Sequence, residues 1–153
     1  MKTRTVSSLI NFSLCAAVLI AFAIPCAAVE RPFKLEGTTV VLGNPFDPAG
    51  AQMQGNGTAT HLGDWANSGV IFFDASSGPP FPVIVVVHFS AANGDQLDAI
   101  LVGHIDLSGV ATGTYYITGG GGRFTGASGK GVFSAHTNPD GTLSYNADGT
   151  INY

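Results

Sequence analysis

Residues Tyr116 to Gly131 read Y-I-T-G-G-G-G-R-F-T-G-A-S-G-K-G, and this stretch decides the fold of the chain. An alternating apolar and polar strand runs into four consecutive glycines, Gly119, Gly120, Gly121 and Gly122. Because glycine has no Cβ, such a run permits φ > 0 and close approach of a neighbouring backbone. Arg123 and Phe124 then form a compact turn that ends at Gly126. Phe124 is the only large apolar side chain of that turn, so we expect it to plug one end of a core.

The rest of the chain has the features of an all-β protein. Glycine and β-branched residues are abundant, and no window longer than a turn combines a 3.6-residue period with helix-forming residues. Asn93-Gly94 predicts a two-residue hairpin, since both central residues of a type I′ turn need φ > 0. Residues 63–68 fit either a bulged continuation of the sheet or a turn. The predicted strands are 33–42, 54–62, 69–73, 81–89, 96–107, 113–118, 130–136 and 142–153.

Eight strands with short connections are the number at which an antiparallel sheet can close on itself. The predicted fold is therefore a closed, antiparallel, eight-stranded β-barrel. A two-sheet β-sandwich is the structural alternative.

The first 28 residues are predicted to be a signal peptide. Lys2 and Arg4 form a basic segment, Leu9 to Ile24 is mostly apolar, and small residues precede a cleavage site after Ala28. A membrane anchor is the alternative, but the apolar segment is shorter than the ~20 residues that a span needs. Proline directly before Cys26 fits a lipid-attachment site poorly. We therefore expect one barrel domain over residues 29–153, secreted or periplasmic, with no membrane span in the mature chain.

The charge of the mature chain excludes some partners. Both cysteines, Cys15 and Cys26, lie in the leader, so the domain depends on its own core rather than on disulfides. Four bases remain against ten acids, and they form no basic stripe. Nucleic acid and anionic membrane surfaces are therefore not expected as partners.

The glycine-rich stretch resembles a known family. Residues 117–129 (I-T-G-G-G-G-R-F-T-G-A-S-G) are similar to the late signature of allene oxide cyclase and dirigent-like barrels, in which a strand ends in GGTGRF followed by GA.G.G. Residues 55–63 (G-N-G-T-A-T-H-L-G) also resemble a segment of small exported bacterial proteins of the same barrel type. The resemblance implies an eight-stranded barrel whose apolar cavity could hold one small ligand. It transfers no catalytic residue, because no acid of this chain matches those of the family's pockets.

Candidate catalytic residues come from the strand at 96–107 and from two tyrosines. His104, Asp98 and Asp106 share one face of that strand, where a histidine and an acid could move protons on a bound ligand if the face points inward. Because the opposite face is cleanly apolar, we expect the opposite face to be buried and these acids to be exposed. Under an enzyme hypothesis the acid–base residues are His104, Asp98, Tyr115 and Tyr145. The four histidines lack the close spacing of metal ligands, so no metal and no other cofactor is expected.

Aromatic residues provide the candidate ligand site. A subset of Trp65, Phe72, Phe89 and Phe133 could line a cavity, although all four also suit a core. The favoured hypothesis is an exported, non-enzymatic barrel that binds a small hydrophobic molecule. The alternatives are a cyclase or isomerase of the allene oxide cyclase or dirigent type, and an envelope or protein-interaction module that acts through its outer surface and could form an oligomer.

Overall fold

The computed structural model of the chain describes residues 29–153. The predicted signal peptide and its cleavage site lie outside the described residues. Within the described part, no helix has the length and apolar character needed to cross a bilayer. The strands are β1 (Arg31–Leu42), β2 (Ala51–Ala59), β3 (Gly63–Phe73), β4 (Phe81–Ala91), β5 (Gln96–Ile105), β6 (Val110–Gly121), β7 (Ser128–Thr137) and β8 (Leu143–Asn152).

The eight strands form a closed antiparallel barrel in chain order. Each strand pairs with the next along the chain, and β8 returns to pair with β1 in a register that places Arg31 opposite Ile151. Within the described part of the chain, closure leaves no unpaired sheet edge. The predicted all-β, eight-stranded barrel is confirmed, and the sandwich alternative is wrong.

Odd-numbered residues of the strands point into the lumen, except at the end of β6, where Gly120 is opposite the inward Leu97. Side chains alternate between the two faces of a strand, and the registers of neighbouring strands keep the same parity around the barrel. The one irregularity is a bulge in β6 at Thr118, where Asp98 pairs with Gly119 but Ala99 pairs with Ile117. The inner face carries almost all of the buried core.

Several predicted strand boundaries and one predicted turn differ from the structure. The second strand ends at Ala59, and His61 adopts φ 68° in a turn that leads into β3, so residues 63–68 continue the sheet. The Asn93-Gly94 turn is not type I′, because only Gly94 has a positive φ. The Asn93 side chain instead accepts a hydrogen bond from the Asp95 backbone, which stabilises a longer connection.

The glycine-rich stretch closes one end of the barrel. Gly122 has φ 64° and begins a 3-10 turn through Phe124, whose side chain is fully buried and packs edge-on against Tyr153 at 4.8 Å between ring centroids. Arg123 holds this turn against its neighbours: its Nε lies 2.8 Å from the Asp95 carboxylate, and its guanidinium donates to the backbone oxygen of His61. The opposite end is left to the loops that follow β1, β3, β5 and β7.

Glycines on the inner face make room for aromatic rings. A Cβ on Gly57 would lie 2.5 Å from Trp65 Cζ2, and one on Gly131 would lie 2.5 Å from Tyr115 Cε1. Each ring therefore lies on the backbone of the neighbouring strand, over the glycine with which its own residue pairs. This packing fills the closed half of the lumen and leaves the space in the other half.

Candidate ligand site in the barrel lumen

The lumen contains a cavity of about 60 Å³ in the half opposite Phe124. All eight strands lie around it, and its side chains come mainly from inward positions. At roughly 15 Å³ for each water, this space is about the size of four water molecules. Its lining is Thr39, Met53, Asn67, Ile71, Phe73, Val83, Val85, Val87, Phe89, Leu101, Ile105, Gly109, Ala111, Phe133, Ala135, Leu143 and Tyr145.

The lining is apolar because the inward-pointing residues of the strands that form it are apolar. Val83, Val85 and Val87 alternate along β4, and each is almost fully buried. Side chains at the rim of the cavity, such as Phe73, Ile105 and Leu143, are only half-buried. The entrance therefore lies at the end of the barrel formed by the loops that follow β1, β3, β5 and β7. Among the described residues, no carboxylate, histidine, lysine or arginine lines the cavity. The cavity therefore suits an uncharged apolar molecule.

Three of the lining residues are polar, namely Thr39, Asn67 and Tyr145. Thr39 is satisfied, since its Oγ1 donates to the backbone oxygen of Gln54 at 2.8 Å. Asn67 Nδ2 donates to the Tyr145 hydroxyl at 2.9 Å. Asn67 Oδ1, in contrast, is buried without a hydrogen-bond partner among residues 29–153. An unpartnered buried oxygen is costly, but the surface that the cavity presents to a ligand is entirely apolar.

Burial keeps both lumenal tyrosines neutral. It raises the pKa of Tyr145 well above its ordinary value of 10.0. It also raises the pKa of Tyr115 to about 12, and the negative charge of nearby Asp148 adds to the effect. Neither phenol is therefore suited to act as a general base near neutral pH, whereas a neutral hydroxyl can still donate a hydrogen bond.

A second void of about 20 Å³ lies next to the first, towards the closed end. Phe89, Leu101 and Tyr145 line both spaces and separate them. Tyr115 lines only the smaller void. The two tyrosines proposed from the sequence thus both face the lumen, but Tyr145 alone reaches the larger cavity.

The aromatic residues proposed as ligand contacts fall into three groups. Phe89 and Phe133 line the larger cavity. Trp65 is buried behind it and contacts Phe89 edge-on, with 5.0 Å between ring centroids. Phe72 is on the outer face, where it pairs with the exposed Ile84, and its neighbour Phe73 occupies the lumenal position.

His104 and Asp98 lie on the outer face of the barrel. They alternate with the inward Leu97, Ala99 and Leu101 of β5, and His104 is exposed. The enzyme hypothesis required both groups inside the lumen, so neither can act on a molecule bound there. The expected burial of the apolar face of this strand agrees with the structure. Asp98 instead contacts His88, whose Nδ1 lies 2.6 Å from its Oδ1 in a partly exposed pair.

The outer face also carries an apolar patch across strands β4 to β7. Ile84, Val86, Val102, Tyr116 and Val132 have between 46% and 63% of their surface exposed. Ile84 pairs directly with Val102, and Val86 is joined to Tyr116 through Ile100 between them. We call these five residues the outer patch. Contiguous exposed apolar surface of this kind commonly marks a contact site.

The lumenal polar group was not identified from the sequence. Asn67 falls in residues 63–68, for which the pattern left the choice between strand and turn open. Its position in the sequence could have indicated an inward side chain, because Asn67 shares one face of β3 with Trp65, Gly69 and Ile71. A polar residue on an otherwise apolar inner face indicates a specific hydrogen-bonding role.

The barrel is similar to a solved structure described as the pterocarpan synthase dirigent protein GePTS1. The likeness has a TM-score of 0.53, covers 82% of this chain and 84% of that chain, and carries 13% sequence identity. A likeness at this identity shows the fold alone, and it confirms the predicted dirigent-like or allene oxide cyclase-like barrel. No protein-family model matches the chain, and the search of curated proteins finds no relative.

Proposed function

We propose that this protein binds a small apolar molecule in the lumen of its barrel. The observation that carries the proposal is the cavity of about 60 Å³, whose accessible surface is entirely apolar. Apolar cavities of this kind exclude water and accept small hydrophobic molecules. The aromatic contacts would be Phe89 and Phe133, with Phe73 at the rim.

Binding is favoured over chemistry for a specific reason. The dirigent protein with the similar barrel is described as a synthase, but here the only titratable side chains that line the two voids, among the described residues, are Tyr145 and Tyr115. Both have raised pKa values, which leaves hydrogen-bond donation as their available role. Among residues 29–153, no carboxylate and no imidazole lines either void, so a reaction that needs one of these groups there is not favoured.

A pair of matched substitutions tests the proposal. Ala135 lines the cavity, whereas Ala66 is exposed on the outer face of β3. Titration of the protein with toluene, followed by calorimetry or NMR, should give saturable 1:1 binding. Ala135→Leu should abolish this binding by filling the space, while Ala66→Leu should leave it unchanged. Absence of saturable binding, or equal binding by the two variants, would contradict the proposal.

The outer patch favours a second role as a protein-contact module that associates with further copies of this chain. Five exposed apolar side chains on four strands would be covered in such an assembly. Sedimentation velocity should then show concentration-dependent association that Val86→Lys weakens. A monomer at all concentrations would argue against this role.

Export through residues 1–28 remains part of the proposal. The basic and apolar segments before Ala28 support it. Mass spectrometry of the exported protein should find Val29, or a residue next to it, at the amino terminus. Retention of Met1 in the mature protein would contradict cleavage.

A further inference from the structure

The loop between β1 and β2, residues 43–50, folds back onto the entrance end of the barrel. The backbone N–H of Phe73, at the end of β3, donates to the backbone oxygen of Pro45 at 3.0 Å. Because β2 lies between β1 and β3 in the sheet, this hydrogen bond draws the loop past the start of β2 and onto β3. The loop is therefore held against the rim of the barrel.

Phe46 makes the apolar contact between this loop and the rim. Its ring centroid lies 5.5 Å from that of Phe73 and 6.5 Å from that of Phe81. Phe73 lines the cavity, and Phe81 pairs with Ile105, which also lines it, so both rings belong to inward positions at the ends of their strands. A ring that packs on two inward side chains at strand ends lies over the entrance to the lumen rather than on the outer wall.

The loop is a small hydrogen-bonded unit between two glycines. Asn44 and Asp47 each accept two hydrogen bonds from backbone N–H groups within the loop. Gly43 and Gly50, at its two ends, have φ of 104° and 73°, which glycine adopts without strain. A segment with internal hydrogen bonds and a permissive backbone at both ends can move as one body.

We propose that residues 43–50 form a lid over the entrance, and that the lid opens about its two end glycines when Phe46 separates from Phe73 and Phe81. The proposal rests on the proposed function, because the lid controls access to the same cavity. Phe46 is 54% exposed, so only a small apolar contact holds the lid closed. Phe46 does not line the cavity, and it therefore affects the rates of entry and exit rather than the affinity.

Hydrogen exchange tests the opening without any ligand. The amide of Phe73 is protected by its hydrogen bond to Pro45, which breaks when the lid opens. Loss of the aromatic contacts in Phe46→Ala should speed its exchange about fivefold. The amide of Val85, in the middle of β4, should keep its wild-type rate. An unchanged rate at Phe73, or an equal increase at Phe73 and Val85, overturns the proposal.

Toluene exchange tests whether the lid controls access. The association and dissociation rates come from NMR line shapes during a titration. Both should rise about fivefold in Phe46→Ala, since opening becomes easier, while the Kd stays close to that of the wild type. Tyr116→Ala is the matched control, because Tyr116 is a similarly exposed aromatic residue of the outer patch, and it should change neither rate.

The outcomes separate the two claims. If toluene does not bind saturably, both the proposed function and the control of access fail. If toluene binds and its rates in Phe46→Ala equal those of the wild type, the lid is overturned while lumenal binding stands.

Discussion

The side-chain amide of Asn67 donates to the hydroxyl of Tyr145 at 2.9 Å and joins β3 to β8 across the lumen. The two strands are not neighbours, since β1 and β2 lie between them. The hydrogen bond therefore crosses the interior of the barrel and leaves Asn67 Oδ1 buried without a partner among residues 29–153. Trp65 Nε1 and Tyr115 Oη are buried without a partner as well.

This arrangement predicts that the polar pair contributes little net stability. Tyr145→Phe leaves the whole Asn67 amide unpaired and should lower the free energy of unfolding by about 1–3 kcal/mol. The double variant Asn67→Leu/Tyr145→Phe replaces both partners by apolar groups and should recover most of that loss. Urea denaturation measures all three proteins. A double variant less stable than Tyr145→Phe would contradict this account.

Phe124 should be essential to the closed end. Its ring is fully buried against Tyr153, so Phe124→Ala leaves a cavity and should cost about 3–5 kcal/mol of stability. Phe46, on the loop between β1 and β2, has 54% of its surface exposed and provides the matched control. Phe46→Ala should cost much less in the same denaturation experiment, and an equal loss in the two variants would show that Phe124 does not plug the core.

Adding a methyl group to a glycine that packs against a lumenal ring should destabilise the fold. Gly131→Ala would place a carbon against the backbone oxygen of Asp148 and 2.5 Å from Tyr115 Cε1, and we expect a loss of about 1–3 kcal/mol from the resulting overpacking. Gly121 is the control, because it has an ordinary extended φ of −128° and the nearest atom to its Cβ is the end of the Gln96 side chain at 2.9 Å. Gly121→Ala should unfold at nearly the wild-type urea concentration. Similar losses at the two positions would refute the steric explanation.

Stability should decline at alkaline pH because of the buried tyrosines. The pKa of Tyr115 rises from 10.0 to about 12 in the folded protein, chiefly through burial. The unfolded chain therefore ionises first, so stability is fully present below pH 10 and is lost as the pH rises from 10 to 12. Urea denaturation at a series of pH values should show a smaller loss in Tyr115→Phe than in the wild type. Parallel curves for the two proteins would mean that Tyr115 is not responsible.

The sequence predicted the barrel because its signals are local. Alternating apolar residues and glycine turns set the strands, and inward parity follows once each strand is located, as for Val83, Val85 and Val87. The outward position of His104 and Asp98 also followed, since the opposite face of β5 was cleanly apolar. Phe72 was proposed as a ligand contact but lies on the outer face of β3. Residues 70–73 are all apolar, so the alternation of apolar and polar residues could not show which of them point inward.

The candidate site needed three-dimensional information. Asn67 and Tyr145 are 78 residues apart, and only closure of β8 on β1 brings their strands to opposite sides of one cavity. The missing hydrogen bond of Asn67 Oδ1 cannot be read from residue types, because it depends on which neighbours surround that atom. The continuity of β3 through residues 63–68 is likewise set by pairing with β2 and β4.

The most direct test of ligand binding compares neighbouring methyl groups on β4. Val85 and Val87 face the cavity, whereas Ile84 and Val86 belong to the outer patch on the same strand. Methyl NMR spectra recorded during a toluene titration should show saturable shifts at Val85 and Val87, with much smaller shifts at Ile84 and Val86. Saturable shifts confined to the outer pair, or no saturable shift at Val85, would contradict binding in the lumen.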